Sequence, residues 1–254
     1  MTNPNISRLR SSFVLASLIT RIALAEPTAA DAQFESEMHE WESGLHQSVK
    51  WEPVQITEAV SRKGTLESLP DGSLRAPVAR AEKERYTIKA TTGLRGVTAF
   101  RLEVLPEGGS VGRTGNAVLS EFEVRVAGMR LVIAGASADF SAKGFGPMAA
   151  LDGDGATGWA FADATDQAHA AVFELAKPLG LGAEPGLTFV LRQDRGASSL
   201  NRVRISATTA AAPVRELPES IRRTIALEPS ERSAEQRAEL VRFFRTTRPA
   251  AVRR

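Results

Sequence analysis

At 254 residues, with 43% hydrophobic and 24% charged side chains, the chain can bury a core without covalent staples, and no apolar run approaches the roughly 20 residues needed to cross a bilayer. It has no cysteine, which excludes thiolate zinc sites, iron–sulfur clusters, haem attached through C-x-x-C-H and a cysteine nucleophile. Net charge is +2, too small to signal a nucleic-acid binder; from Pro213 onward ten Arg and six Glu give +4, so the first 212 residues sum to −2.

Met1 to Arg10 carries two arginines and no acid, Ser12 to Ala25 is mostly apolar, and Ala23-Leu24-Ala25 before Glu26-Pro27 resembles a signal-peptidase site. Residues 1–30 therefore read as a signal peptide directing export to the periplasm or cell exterior. Because Arg21 interrupts the apolar stretch, a disordered extension of a cytoplasmic protein is the alternative. Over 31–50, Phe34, Met38, Trp41 and Leu45 recur at spacings of four, three and four between glutamates, which predicts an amphipathic helix with a seam for a partner helix. His39 and His46 lie seven apart on it, either as metal ligands or on a solvated face.

Beyond Trp51 the period becomes two. Phe100, Leu102 and Val104 alternate with Arg101 and Glu103, and Phe122, Val124 and Val126 with Glu121, Glu123 and Arg125. Leu187, Phe189 and Leu191 repeat the pattern, as do Val203, Ile205 and Ala207 against Arg202, Arg204 and Ser206. Each strand is expected to have one dry and one wet face. Pro70-Asp71-Gly72, Thr92-Gly93, Asp152-Gly153-Asp154-Gly155 and Glu184-Pro185-Gly186 are turn signals between them, so 51–209 is predicted to be an antiparallel β-sandwich rather than a series of βαβ units.

After Pro213 the helical period returns. Pro218 is placed to start a short helix through Leu227, Pro229 breaks it, and Ser233 with Gln236 forms a capping box for a second helix carrying Leu240, Val241 and Phe244. Residues 213–248 thus read as a helical hairpin and 249–254 as a tail. The N-terminal seam is expected to pack on this hairpin, and a partner protein docking through the terminal helices is the other way to cover it.

The segment most informative about chemistry is Met148 to Trp159, MAALDGDGATGW. Two aspartates one residue apart between glycines make a tight loop whose oxygens can converge on a hard cation such as calcium, although it does not match an EF-hand loop and an Asp-Gly turn explains the same spacing. Gly112-Arg113-Thr114-Gly115-Asn116 is a polar loop in which Arg113 and Asn116 can hydrogen-bond sugar hydroxyls or a carboxylate, or Asn116 can simply cap a turn. His169 opens the strand HAAVFEL after a loop containing Asp163 and Asp166, as a ligand-binding or a structural histidine. Enzyme signatures are missing: no G-x-S-x-G, H-E-x-x-H or G-x-x-x-x-G-K-[ST] occurs, and Gly144-Phe145-Gly146 is too short to cradle phosphate.

The pattern A-x-D-G-D-x-x-T-x-W, here Ala150, Asp152, Gly153, Asp154, Thr157 and Trp159, resembles the signature of galactose-binding-like (discoidin-type) jelly-roll domains. Further stretches resemble the middle region of multidomain planctomycete-type proteins in which a cytochrome c-like domain accompanies domains of unknown function. They are YTIKATTGLRGVTAFRLEVLP from Tyr86, GRTGNAVLSEFEV from Gly112, DFSAKGFGPMAALDGDGATGWA from Asp139, HAAVFEL from His169, and LPESIRRTIALEPSERSAEQRAELVRFFR from Leu217. Together they cover about 200 residues.

The resemblance implies a jelly-roll sandwich that binds a glycan or cell-surface polymer without catalysis. It also implies a structural calcium held by Asp152, Asp154 and Thr157, partly through backbone carbonyls. No haem is expected, for want of C-x-x-C-H. Trp159 is expected either to fill the core or to stack on a sugar. A structural or protein-interaction domain without a sugar site is the competing reading, and a hydrolase on a sandwich scaffold the third. The scarcity of aromatic platforms, three Trp and one Tyr, weighs against sugar stacking.

Overall fold

The computed structural model of the chain describes residues 28–45, 49–76, 83–108, 111, 117–162, 164–180, 186–195 and 198–247. Helix α1 (Ala29–Leu45) is followed by β1 (Glu52–Pro53), β2 (Gln55–Ser61), β3 (Gly64–Thr65), β4 (Glu67–Ser68) and β5 (Leu74–Arg75). Next come β6 (Glu84–Thr91), β7 (Ala99–Leu105), β8 (Val118–Leu119), β9 (Glu121–Val126), β10 (Met129–Arg130) and β11 (Ile133–Ala138). The chain continues with β12 (Trp159–Ala160), β13 (His169–Leu175), β14 (Leu187–Gln193) and β15 (Arg202–Thr208), then α2 (Glu219–Ile225) and α3 (Ala234–Thr247).

Among the described residues these strands form two main antiparallel sheets, ordered β11-β13-β7-β15-β5-β4, with β1 on β15, and β10-β9-β14-β6-β2-β3. The alternating residues explain why they pack. Phe100, Leu102 and Val104 of β7 and Phe122 and Val124 of β9 are fully buried on the facing sides. Phe122 stacks on Phe173 of β13 with ring centroids 3.9 Å apart, and Phe100 meets Phe189 of β14 edge-on at 5.1 Å, so both contacts cross from one sheet to the other. The protein is mainly β, a two-sheet sandwich flanked by an N-terminal helix and two C-terminal helices. No helix among the described residues is long and apolar enough to cross a membrane.

Two wet-face expectations fail: Ser206 of β15 on the first sheet and Glu121 of β9 on the second are each only 4% exposed. The 152–157 loop lies over the start of β9, so the outward alternation of that strand is covered at its first residue.

The outer face of the first sheet is covered by the segments that flank the sandwich, around 49–51 and 210–216. Val214 packs against Ala99 and Val172 together with Val49, Trp51 and Ala210. Arg204 makes a two-pronged contact to Glu103, at 2.7 and 2.9 Å, and Arg101 Nε donates to Glu216 at 2.8 Å. Arg101 of β7 therefore fastens the C-terminal segment to the sheet, while Arg204 and Glu103 tie β15 to β7.

At the helical end, the α1 seam packs on α2 and α3. Phe34 meets Phe244 at 5.5 Å, while Trp41 lies 5.1 Å from Phe244 and 6.0 Å from Phe243. Met38, Trp41 and Leu45 border the buried Ile221, Ile225 and Leu240. The capping box forms in both directions, Ser233 N–H to Gln236 Oε1 at 2.8 Å and Gln236 N–H to Ser233 Oγ at 3.2 Å. Arg232, nearly buried, pairs with Glu42 and ties α1 to the turn before α3.

Candidate functional site

The MAALDGDGATGW segment leaves a short 3-10 turn over Pro147–Ala150, loops through Asp152–Thr157, and enters β12 at Trp159. Gly153, at φ +85°, lets the chain reverse between the aspartates, and nothing lies within 4 Å of where a Cβ would stand. Asp152 Oδ1 accepts the Asp154 N–H at 2.8 Å, and Asp154 Oδ1 accepts the Ala156 N–H at 2.9 Å, two successive Asx turns.

Four oxygens crowd the Thr157 hydroxyl. It lies 3.0 and 2.9 Å from Asp152 Oδ1 and Oδ2, 2.9 Å from the Asp154 carbonyl and 3.2 Å from the Ala149 carbonyl. A hydroxyl has a single proton to give, so most of these close oxygen–oxygen approaches have no proton between them. The four separations from the Thr157 hydroxyl fall within the about 2.8–3.4 Å that divides neighbouring ligands in a seven-coordinate calcium shell. Asp154 enters this set by its carbonyl; its carboxylate faces Ala156 and the adjoining groove.

Glu121 is the member that the sequence did not reveal. Its carboxylate takes a hydrogen bond from the Gly153 N–H, and its Oε1 is buried with no hydrogen-bond partner among the described residues. Burial pushes the Glu121 carboxyl above its ordinary value, with Asp152 adding to the rise, against the opposing Gly153 hydrogen bond and the charges of Arg192 and Arg130. A divalent cation at this loop would be held by Asp152 and Thr157 through side chains and by Ala149 and Asp154 through carbonyls, with Glu121 as a further carboxylate fixed to the same loop by the Gly153 N–H. Among the described residues no three His, Asp or Glu side chains gather into a metal cluster, so such a site depends on the carbonyls and the hydroxyl as much as on the acids.

Beside the loop opens a groove of about 630 Å³ lined by Lys83, Asp154, Gly155, Ala156, Arg192, Asp194 and Arg195. Arg192 and Asp194 form an ion pair across the end of β14. Arg195 donates to the Ala156 carbonyl and rests its guanidinium 4.8 Å above the Phe145 ring.

The other candidate residues separate. Arg113, Asn116 and Asp163 lie outside the described residues, as does His46, while His39 is exposed on α1. Trp159 is fully buried, its indole N–H donating to the Phe140 carbonyl at 2.8 Å and its ring edge-on to Phe161 at 4.5 Å. No face of the ring is open to a sugar, so of its two expected roles the structure gives it the core.

His169 is likewise buried, at 2% exposure, so it cannot reach a ligand at the surface. Its ring stacks on Phe161 and faces Phe140. Nδ1 lies 3.3 Å from Asp139 Oδ2 and Nε2 lies 2.5 Å from the Ala164 carbonyl. Both partners are acceptors, so both nitrogens have reason to carry a proton. Burial lowers the imidazole pKa, but the Asp139 and Ala164 hydrogen bonds and the Asp139 and Asp166 charges outweigh it, and the net shift is upward. The stabilisation is therefore fully present below the ordinary value of about 6.5 and is lost as pH rises through the higher folded value. Urea midpoints measured from pH 5 to 9 should fall on the alkaline side for the wild type, and His169→Gln should flatten that fall. Parallel profiles for the two proteins would assign the pH dependence to other groups.

In comparisons with known proteins, no family model, no curated protein and no solved structure matches the chain.

Proposed function

We propose that the chain is a non-catalytic binding module of the jelly-roll, galactose-binding-like type, exported from the cytoplasm, holding a structural calcium and binding a glycan or cell-surface polymer. The observation that carries this reading is the oxygen set around Thr157 beside the orphaned Glu121 Oε1. Calcium bound there would tie Ala149, Asp152, Asp154 and Thr157 to the start of β9 and so stiffen the 154–156 wall of the groove. That links the ion to ligand binding without giving it a chemical step. Among the described residues the groove is lined by charged side chains, three cations and two acids, which suit a polar ligand.

Melting curves in calcium and in chelator test the ion. Binding to the native state should raise stability by about 2.7 kcal/mol at a hundredfold excess over Kd. Asp152→Asn and Glu121→Gln should each remove most of that increment, whereas Asp154→Asn, whose carbonyl is unchanged, should keep it. Identical wild-type curves with and without calcium would sink the ion site. A glycan array probed in calcium and in chelator tests the binding reading, with calcium-dependent retention as the expected result.

A further inference from the structure

Resting on that binding-module reading, we infer that the groove beside the 152–157 loop takes an acidic saccharide, one whose sugars carry carboxylate or sulfate-ester groups. Three cations, Lys83, Arg192 and Arg195, and two acids, Asp154 and Asp194, line it. The acids are already engaged: Asp194 pairs with Arg192, and the Asp154 carboxylate accepts the Ala156 N–H. Among the described residues Lys83 has no hydrogen bond or ion pair and is exposed. Arg195 is held by a carbonyl and a ring rather than by a carboxylate. Arg192 is spent on Asp194 and its Nε is buried, so the cations open to a groove ligand are Lys83 and Arg195. With the Arg192–Asp194 pair discounted, Lys83 and Arg195 outnumber Asp154 by one positive charge.

None of the groove's described lining residues is aromatic, and the nearby Phe145 ring is covered by Arg195. A neutral sugar would have neither a stacking surface nor an unmatched charge to hold it, whereas an anionic sugar meets Lys83 and Arg195 directly and can take bidentate contacts from the guanidinium. The volume lies within the roughly 300–1,000 Å³ usual for ligand pockets, room for part of a polymer rather than a single small ion.

The test is calorimetric titration of the full chain in calcium at low salt with oligogalacturonate, a sulfated dextran, a neutral galactan oligosaccharide and inorganic phosphate. An acidic oligomer should bind at least about tenfold more tightly than the neutral one and weaken with added salt. Lys83→Glu should weaken it by about another factor of ten while leaving the melting temperature unchanged. Arg195→Gln, compared at equal foldedness by circular dichroism, should act in the same direction. Preference between oligogalacturonate and sulfated dextran identifies the anionic group. Neutral galactan binding as tightly as either acidic polymer, or acidic binding untouched by Lys83→Glu, would overturn the acidic assignment while leaving a binding module. Phosphate binding as tightly as the oligomers would overturn the saccharide assignment, and failure of every saccharide to bind in calcium would overturn both readings.

Discussion

Gly158→Ala should be among the most damaging single substitutions in this chain, although it adds one methyl group. Gly158 sits at φ +146°, and a Cβ there would stand 2.3 Å from the Leu119 carbonyl oxygen, 2.8 Å from Ser120 Cα and 2.8 Å from Val118 Cγ1. Two of those atoms are backbone, and that backbone is fixed: Leu119 pairs with Trp159 across β8 and β12, and the Ser120 N–H donates to the Arg192 carbonyl at 2.8 Å. The strained φ costs about 1–3 kcal/mol, and overpacking adds about 1–3 kcal/mol or more. Together these consume a large part of the roughly 5–15 kcal/mol by which domains are stable. Gly153→Ala is the control, because that site also has positive φ but open space around it, and it should cost only about 1–2 kcal/mol. Urea unfolding of both variants measures the difference. Equal midpoints would mean that the loop does not press on β8 as described.

What could be read from the sequence follows from how far each signal depends on neighbours. β7, β9, β14 and β15 announce themselves by alternation, since their large apolar residues repeat every second position toward the core, even though the other face is also covered at Glu121 of β9 and at Ser206 and Thr208 of β15. The α1 seam is legible for the same reason, with Trp41 and Phe34 meeting the α3 aromatics. β11 is not legible. Its residues, IAGASA, are mostly small, and as the terminal strand of its sheet it leaves them partly exposed, so neither size nor alternation marks it. β2, the strand next to the edge strand β3, is similarly faint, with only Ala59 buried. The Asp152–Thr157 loop stands out by its glycines and acids, which are local. Glu121, by contrast, looks like any outward residue of an alternating strand; it is buried because a loop some thirty residues later folds over it, and no local pattern encodes that. The groove is hidden for the same reason: Lys83, Asp154 and Arg192 are far apart in the chain and meet only when β14 comes to lie beside the loop.

Trp159→Ala should cost stability first, with any loss of ligand binding following from unfolding. The side chain is fully buried, packed edge-on to Phe161, and its N–H satisfies the Phe140 carbonyl. Truncating a buried Trp to Ala costs about 3–5 kcal/mol. The Phe140 carbonyl then loses its donor, a further penalty of about 1–3 kcal/mol where water cannot replace it. Trp159→Phe separates the two contributions, because it restores most of the ring volume but not the hydrogen bond, and should fall between wild type and Trp159→Ala. Because Trp159 pairs with Leu119 and lies two residues after Thr157, the damage should also lower the calcium affinity proposed for the oxygen set in protein that remains folded. Urea unfolding monitored by circular dichroism, with calcium titrations at low denaturant, checks both expectations. A sugar-stacking residue would behave in the opposite way, losing polymer binding at an unchanged unfolding midpoint, and that result would place the ring outside the core.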